Sequence, residues 1–490
     1  MYVDSFWHLY FWEEKSKTQS MRNIIKSVLI LKTEDLQGIL SVRFIHQSSF
    51  RFKFIRKIFF SYVSILLNTF LILSSINCVE NSKSYRNLKK QKAIDDIRQA
   101  ALLGKLGVLK LIEIPSDEDK GSLFVVGYKS NDPLTTSWWI KKFSTKGEEN
   151  TTEWNREFQS PGISIPYGIA YDSSKNIFVI GSGGNGTWLV KGFTPDGKDF
   201  IGGNIEVSTF GNSKGLAISI QNGFAYMGGE AGTSSCYEWA IKKFSFTGGE
   251  DKSWNKRFQW NNQCNSLRDL KLDAEGNVHA VGYGNFPERQ RYIKFNSRGE
   301  ILWNKEFQIY DTKHSIERIL FDSAGNSYSI GWMNQQDNAN TEWWLKKIHP
   351  DGSEDSDFGN LTFQNGNGIY MTGEGMIDAA IYGSTIYMIG PYASQISGGF
   401  DWVLRKIPTS GNREGVQTST ITAGGHNNFH SMTMDSKGNI YVCGAKHNGT
   451  DLDWRILKIP NDGKTSTLAW EKIYDGGKGN DEAMRILYVP

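Results

Sequence analysis

The residues of this 490-residue chain that are best suited to chemistry are a few histidines, carboxylates and arginines in short apolar segments. His426 and His430 stand four residues apart, a spacing that binds Zn²⁺ when both histidines lie on one helix. Here they follow two glycines and lead into an apolar segment, which indicates a loop and a strand. No third ligand is in view, so we predict no metal site.

Aspartates recur just before Gly-Asn in tight turns, and oxygen-rich turns are a feature of Ca²⁺ sites. These aspartates are Asp172, Asp273, Asp322 and Asp435. One carboxylate per turn is too few for a cation that takes about six to eight oxygen ligands. We therefore interpret each aspartate as a turn cap.

A basic pair recurs once per repeat in several repeats, and a ring of such pairs would attract an anion. The pairs are Lys141-Lys142, Lys242-Lys243, Lys346-Lys347 and Arg405-Lys406. Each pair lies beside Trp and Phe or Ile, near a turn. Their stems can pack while their charged heads reach water, so we predict a structural role.

Catalytic signatures are lacking, since the sequence has neither Gly-x-Ser-x-Gly nor His-Glu-x-x-His. The first strands of different repeats supply a scattered polar set: Glu317, Arg318, Asp378, His430 and Glu482. We predict no catalytic residues and no cofactor. The alternative is an extracytoplasmic lyase or hydrolase with its site at a central channel.

The elements that position these residues are repeats. From about residue 121 one pattern recurs seven times: a strand, Asp-x-x-Gly-Asn, a second strand ending in Gly, a variable loop, a Trp-containing third strand and an outer strand. The closing glycines recur about every 53 residues, which suits a four-stranded blade: Gly127, Gly181, Gly228, Gly282, Gly331, Gly390 and Gly444. Because neighbouring blades must cover each other's faces, we predict an all-β fold, a seven-bladed β-propeller of four-stranded blades at 108–490.

The last ten residues look like the opening strand of another repeat. The segment 481–489 matches 318–322, and only Pro490 follows it. We expect this C-terminal strand to take the innermost place of the first blade and so to close the ring. A second candidate for that place is 108–114.

Two segments carry a family resemblance. Asp-Gly-Gly-Lys-Gly-Asn-Asp-Glu-Ala at 475–483 and Asp-Ser-Lys-Gly-Asn-Ile-Tyr-Val-Cys-Gly at 435–444 resemble the SBBP-type β-propeller repeats of exported bacterial proteins. The resemblance covers about residues 121–490 and is strongest in the fourth, fifth and seventh repeats. It implies a propeller in a secreted or surface-exposed protein, often a lipoprotein, and it carries over no catalytic residues.

The first 107 residues lack the repeat. Residues 1–50 are an extension, either from a mis-assigned start or a genuine cytoplasmic segment, and 79–107 are a polar tether with a short helix. In 51–78 a basic stretch precedes an uncharged stretch that leads to Cys78, the layout of a secretory signal. The exit resembles a bacterial lipoprotein signal, and its Ser75 and Asn77 resemble the relaxed signals of spirochaetes.

We therefore predict lipidation (palmitate) at Cys78 and a place outside the cytoplasm, on the outer membrane or cell surface. One alternative is an uncleaved anchor in the inner membrane, because residues 58–79 are long enough to span a bilayer. The other alternative is a buried apolar segment.

The charge distribution argues against nucleic acid as a partner. Residues 1–78 hold 10 of the 55 Lys and Arg and 5 of the 52 Asp and Glu, so the remainder carries a formal charge of −2. The basic balance thus belongs to the leader, and the propeller lacks the basic footprint of nucleic-acid binding.

Two cysteines fall in loops that emerge on the same face of a propeller. Cys236 follows the second strand of the third repeat, and Cys264 lies in the link to the fourth. An oxidising compartment would favour a disulfide between them.

The predicted function is a monomeric binding module that is attached to a membrane by its lipid. Its ligand, an unidentified protein or polysaccharide, is expected on the loops after the second strands, with carbohydrate binding as a further alternative. The aromatic residues that we expect to be exposed on this surface are Trp260, Phe286, Trp332 and Tyr392.

Overall fold

A computed structural model divides the chain into two units, Met1–Ser116 and Asp117–Pro490. It describes residues 121–490 except 133, 161, 185, 209–212, 234–235, 248, 261–263, 285–288, 308–313, 335–340, 365–376, 394–399, 422–426, 462–467 and 478. The predictions for the extension, signal and tether, including Cys78, and the candidate strand at 108–114 lie outside these residues. Among the residues that the structure describes, no helix has the length and hydropathy of a membrane span.

The described residues form seven antiparallel sheets, one for each repeat. Blade one contains β1 (Ser122–Asp132), β2 (Thr135–Ser144), β3 (Arg156–Gln159) and, from the far end of the chain, β29 (Glu482–Val489). Blade two contains β4 (Pro166–Tyr171), β5 (Ile177–Ser182), β6 (Trp188–Phe193) and β7 (Ile205–Val207). Blade three contains β8 (Lys214–Gln221), β9 (Phe224–Thr233), β10 (Cys236–Ser245) and an outer strand in two pieces, β11 (Gly249–Glu250) and β12 (Lys256–Phe258).

The remaining blades follow the same order from innermost to outermost strand. Blade four contains β13 (Ser266–Leu272), β14 (Val278–Gly284), β15 (Arg289–Phe295) and β16 (Ile301–Phe307). Blade five contains β17 (His314–Phe321), β18 (Ser327–Asn334), β19 (Thr341–Ile348) and β20 (Asn360–Gln364). Blade six contains β21 (Asp378–Tyr382), β22 (Thr385–Ala393), β23 (Phe400–Pro408) and β24 (Gln417–Ile421). Blade seven contains β25 (Asn427–Met434), β26 (Ile440–His447), β27 (Leu452–Ile459) and β28 (Trp470–Tyr474).

The ring closes as the sequence predicts. The C-terminal strand β29 pairs with β1, from Ser122 opposite Val489 to Tyr128 opposite Glu482. Apolar clusters form between each blade and the next, and one of them joins blade seven to blade one through Trp454 and Leu123. No blade therefore leaves an apolar face in water, and the fold is a seven-bladed β-propeller.

Tryptophans on the third strands join neighbouring blades through hydrogen bonds as well as packing. The indole nitrogen of Trp188 donates to the carbonyl of Glu230 in blade three, and that of Trp239 donates to Tyr283 in blade four, each at 2.9 Å. The same bond closes the ring, since Trp454 of blade seven donates to the carbonyl of Tyr128 in blade one at 2.9 Å. A buried indole N–H usually finds such an acceptor, although those of Trp138, Trp343, Trp344 and Trp402 have none among the described residues.

The turn aspartates cap their turns as predicted. The basic pairs also have a structural role, but the first member of each pair is buried rather than reaching water. The carboxylate of Asp435 accepts the backbone N–H of Asn439 at 2.9 Å and its side-chain amide at 2.8 Å. In the pair Lys141-Lys142, the first ammonium lies 2.6 Å from Glu149 and the second lies over the ring of Phe124 at 5.3 Å.

The innermost strand of six blades carries a β-bulge at the same place. In β17, Ile316 pairs with Gly331 and Arg318 pairs with Ile330, so that Glu317 is the extra residue. The extra residues of the other five are Tyr167, Leu216, Arg268, His430 and Met484. A bulge bends its strand and turns the extra side chain in a new direction.

This bulge explains the glycine that closes the second strand of each repeat. A Cβ atom built on Gly331 would lie 1.9 Å from the carbonyl oxygen of Ser315 in the innermost strand. Only glycine allows so close an approach of two backbones. In blade three the glycine before the bulge is Gly229, so the assignment of Gly228 is wrong by one residue.

We expect Gly331→Ala to lower the free energy of unfolding by about 3 kcal/mol, because the new methyl group must push two paired strands apart. Denaturant unfolding followed by tryptophan fluorescence measures this. Ser329→Ala in the same strand is the control, since the Ser329 hydroxyl is buried without a hydrogen-bond partner and its loss should cost little. Equal effects of the two substitutions would show that the bulge does not constrain position 331.

Candidate functional site

Side chains from the innermost strands meet at the axis of the ring. The space between them is lined by Tyr167, Leu216, Arg268, Glu317, Arg318, Met484 and Arg485. Five of these seven are the extra residues of the bulges, so the bulges direct their own side chains to this point. The space measures about 10 Å³, which is room for about one water molecule.

A buried ion pair near the axis connects blades five, six and seven. Nε of Arg318 lies 3.0 Å from the carboxylate of Asp378, which also accepts the Ser431 hydroxyl at 2.8 Å and the Met432 N–H at 3.0 Å. Burial would raise the pKa of Asp378, but the charges of Arg318 and Arg485 hold that pKa below its ordinary value. Asp378 is thus an ionised acceptor that joins three blades.

A second pair, half-buried, joins the closing strand to blade seven. The carboxylate of Glu482 lies 2.5 Å from Nε2 of His430, and it accepts the Tyr128 hydroxyl at 2.7 Å and the Asn428 amide at 3.1 Å. Burial acts to raise the pKa of Glu482, but these partners lower it to about 2. Burial raises the pKa of Tyr128, and the Glu482 carboxylate raises it further.

The scattered polar set of the sequence is therefore brought together as two pairs, Arg318 with Asp378 and His430 with Glu482. Glu317 accepts the indole N–H of Trp332 at 3.1 Å. Hydrogen bonds are incomplete in this set, since Oε2 of Glu317, one terminal nitrogen of Arg318 and Nδ1 of His430 are buried without a partner. Among the described residues, the space that the axis residues line has room for about one water molecule. His426 lies outside the described residues, so the structure says nothing of a histidine pair with His430.

A larger cleft lies beside the axis, between blades seven, one and two. It is lined by Tyr128, Ser130, Asn131, Asp132, Thr136, Ile163, Ile165, Thr450, Asp451, Gly479 and Asn480. These residues come from the end of β1 and the start of β2, from the loop between β26 and β27, and from the links that follow the outer strands of blades one and seven. The cleft encloses about 880 Å³, within the usual range of about 300–1,000 Å³ for ligand-binding sites.

The lining of this cleft combines hydroxyl, amide and carboxylate groups with one well-exposed aliphatic side chain. Ile163 is 57% exposed, whereas Thr136 of the same cleft is buried and holds the carbonyl of Ser164 at 2.7 Å. The backbone N–H of Ser130 and its hydroxyl are bound to Asp481 and Asn480. The walls are therefore preorganised by bonds between the closing segment and blade one.

The aromatic residues expected on the binding surface do not line this cleft. Trp332 is buried, so its predicted exposure is wrong: β18 continues past Gly331 to Asn334, and every residue of that strand is buried. Trp260 is half-buried, stacked on Phe258 at 6.0 Å, with the Arg291 guanidinium over its ring at 4.8 Å. Tyr392 is half-buried against the cluster between blades five and six, and Phe286 lies outside the described residues.

The two loop cysteines lie side by side. The Sγ atoms of Cys236 and Cys264 are 2.7 Å apart. Burial and the neighbouring thiol raise the pKa of Cys236 to about 11. Cys443, in contrast, is fully buried between blades seven and one.

We expect Cys236 and Cys264 to form a disulfide in protein from an oxidising compartment, because little movement is needed to join them. Non-reducing peptide mapping should show both cysteines in one linked fragment. Cys443→Ser is the control and should leave that fragment unchanged. Two free thiols at 236 and 264 in such protein would contradict the expectation.

No protein-family model matches the sequence, and no curated protein sequence matches it. Among solved structures, the chain is similar to the periplasmic gluconolactonase PpgL of Pseudomonas aeruginosa, with 9% identity and a TM-score of 0.49 over 76% of this chain and 99% of that one. It is also similar to the Synechocystis apocarotenoid oxygenase, with 10% identity and a TM-score of 0.41 over 76% and 92%. A third similar structure is the subtype N10 neuraminidase-like protein of A/little yellow-shouldered bat/Guatemala/060/2010. It has 10% sequence identity and a TM-score of 0.36, over 66% of this chain and 94% of that one.

Proposed function

We propose that this chain is a binding module that holds a segment of a partner protein in the cleft between blades seven, one and two. The observation that carries the proposal is the contrast between the two spaces: the axis has room for about one water, and the cleft encloses about 880 Å³. Among the described residues, the cleft therefore has room for a ligand and the space at the axis does not.

The chemistry of the cleft favours a protein ligand over a polysaccharide. Ile163 offers an exposed apolar contact within a polar rim, which is the usual layout of a protein interface. Sugar rings are commonly held against aromatic faces, and the aromatic side chains predicted for that role are buried or half-buried wherever the structure describes them. Asp132 and Asp451 at the rim favour a partner segment with basic residues.

The test is capture of envelope proteins by the full chain in detergent, with cross-linking to locate the contact. Ile163→Asp should reduce capture of a specific partner at least about 10-fold, since it places a charge at the apolar contact. Ile201→Asp is the matched control, because Ile201 is 94% exposed in blade two and does not line the cleft. Equal capture by both variants, or cross-links confined to other blades, would refute the proposal.

The proposal places the propeller outside the cytoplasm, held by a lipid on Cys78. Two observations support this location. A basic stretch is followed by an apolar stretch in residues 51–78, as in a secretory signal, and Cys236 lies close enough to Cys264 for a disulfide. Mass spectrometry of the native N-terminus should find a diacyl or triacyl group on Cys78. An unmodified chain that begins before residue 78 would favour the uncleaved anchor.

The second candidate function is that of an enzyme, because the Tyr128 hydroxyl connects the cleft to the Glu482 carboxylate and the His430 imidazole. Tyr128 lines the cleft, and its hydroxyl binds Glu482, which in turn binds His430. Such a chain of groups can move a proton in a hydrolysis or elimination. Turnover of lactone, ester or glycoside substrates by the full chain, lost in His430→Gln, would favour this candidate over the binding module.

A further inference from the structure

A cluster of three aspartates lies where the closing segment meets blade seven. Asp453 belongs to β27, Asp475 follows β28, and Asp481 precedes β29. One carboxylate oxygen from each lies within 4.8 Å of the others. A Ca²⁺ ion with Ca–O distances of about 2.4 Å joins oxygens up to about 4.8 Å apart, so the spacing suits one shared ion.

The most telling feature of the cluster is an oxygen that lacks a partner. Asp453 is 6% exposed, and its Oδ1 atom is buried without any hydrogen bond, while its other oxygen accepts the Asn448 amide at 3.1 Å. A buried carboxylate oxygen with no donor is costly unless something cationic binds it. Its carboxylate is one of the three that converge.

Asp481 adds a second buried carboxylate at the same point. It is fully buried, and its oxygens accept the N–H groups of Ser130 at 2.8 Å and Gly476 at 2.5 Å. These bonds hold the carboxylate in place rather than neutralise its charge. Burial and then the neighbouring aspartates raise the pKa of Asp481 to about 6, and burial also raises that of Asp453.

Three lysines lie near the cluster in the structure or the sequence, and one of them, Lys446, is opposite Asp453 in the pairing of β26 with β27. The ammonium of Lys129, whose stem lies against Gly476, is 2.7 Å from Glu157 of blade one. Within 121–490, leaving aside the undescribed segments, no lysine or arginine forms an ion pair with Asp453, Asp475 or Asp481. Lys478 stands in the loop between Asp475 and Asp481 and is not among the described residues.

We propose that Asp453, Asp475 and Asp481 bind one divalent cation, Ca²⁺ in preference to Mg²⁺, and that this cation fastens the closing segment to blade seven. All three ligands are oxygens, and the site has the mixed buried and exposed walls that a cation needs to enter. Asp453 and Asp475 come from blade seven, and Asp481 begins the strand that completes blade one. Binding therefore ties the two ends of the ring across their junction, independently of any ligand in the cleft.

The test is calorimetric titration and thermal unfolding of the full chain in detergent, after chelation, with Ca²⁺ and Mg²⁺ added separately. We expect Ca²⁺ to bind with a Kd of about 10⁻⁴ M, as in extracellular sites, and to raise the melting temperature. Asp453→Asn keeps the size of the side chain and should weaken Ca²⁺ binding by at least about 10-fold.

The matched control is Asp401→Asn in blade six. Asp401 is buried and precedes Trp402, as Asp453 precedes Trp454, but it is not part of a carboxylate cluster among the described residues. This variant should retain the Ca²⁺ affinity of the wild-type chain. Absence of binding heat and of any melting shift with either cation would overturn the proposal.

Discussion

Removal of residues 482–490 should abolish the single cooperative unfolding transition of the propeller. This segment supplies the whole innermost strand of blade one, with Ala483, Met484, Ile486 and Val489 all buried. Its loss leaves the edge of β1 unpaired and the interface between blades seven and one open. The apolar faces of both blades would then be exposed to water, at a cost comparable to the stability of a whole domain, about 5–15 kcal/mol.

Differential scanning calorimetry of the full and truncated chains measures this effect. A chain that lacks only Pro490 is the control, since Pro490 is exposed and contributes no strand. A synthetic peptide of residues 480–490 added to the truncated chain should restore the transition, because the strand pairs through hydrogen bonds and not through the covalent chain. A truncated chain that melts like the full one would show that the ring is held without β29.

The second large effect is expected at the buried ion pair near the axis. Asp378→Ala should lower the free energy of unfolding by about 3–5 kcal/mol, since it leaves the buried Arg318 without its ion-pair partner. The Ser431 hydroxyl and the Met432 N–H lose their acceptor in the same step. Denaturant unfolding followed by fluorescence measures the change.

A double variant distinguishes the loss of the ion pair from the cost of leaving a buried guanidinium unpaired. Arg318→Met combined with Asp378→Ala should recover part of the loss, because it removes the unpaired guanidinium and fills its space with an apolar chain. Asp357→Ala, at an exposed aspartate, is the surface control and should change stability by less than about 0.5 kcal/mol. If Asp378→Ala costs no more than this control, the ion pair does not hold blades five to seven together.

The fold could be predicted from the sequence because a propeller repeats one local pattern. Each repeat carries its own strands, turn aspartate and glycine, so boundaries and number of blades follow from the spacing. Closure by 481–489 was also predictable, since that segment repeats the pattern of an innermost strand without the strands that normally follow it. Even so, the two candidates for the first blade were distinguished only by the pairing of β29 with β1.

The candidate site could be predicted much less well. The side chains that meet at the axis come from β4, β8, β13, β17 and β29, which lie far apart in the chain. The bulge that turns these side chains inward can be recognised in the sequence only by the glycine opposite it. Trp332 follows the glycine that closes the second strand, so the sequence pattern predicts a loop residue there. In the structure the strand continues through Trp332. The aspartates at 453, 475 and 481 carry no metal-binding motif, because their meeting depends on the junction of blades seven and one.

The amino-acid sequence by itself determined the blade and the number of blades, because these depend on hydrogen bonds and apolar patterns between near neighbours in the chain. Only the tertiary structure decided which side chains share a space, which aromatic residues are buried, and where a cleft opens beside a filled axis. Those features arise from residues of different blades, and their distances are set by the curvature of the closed ring.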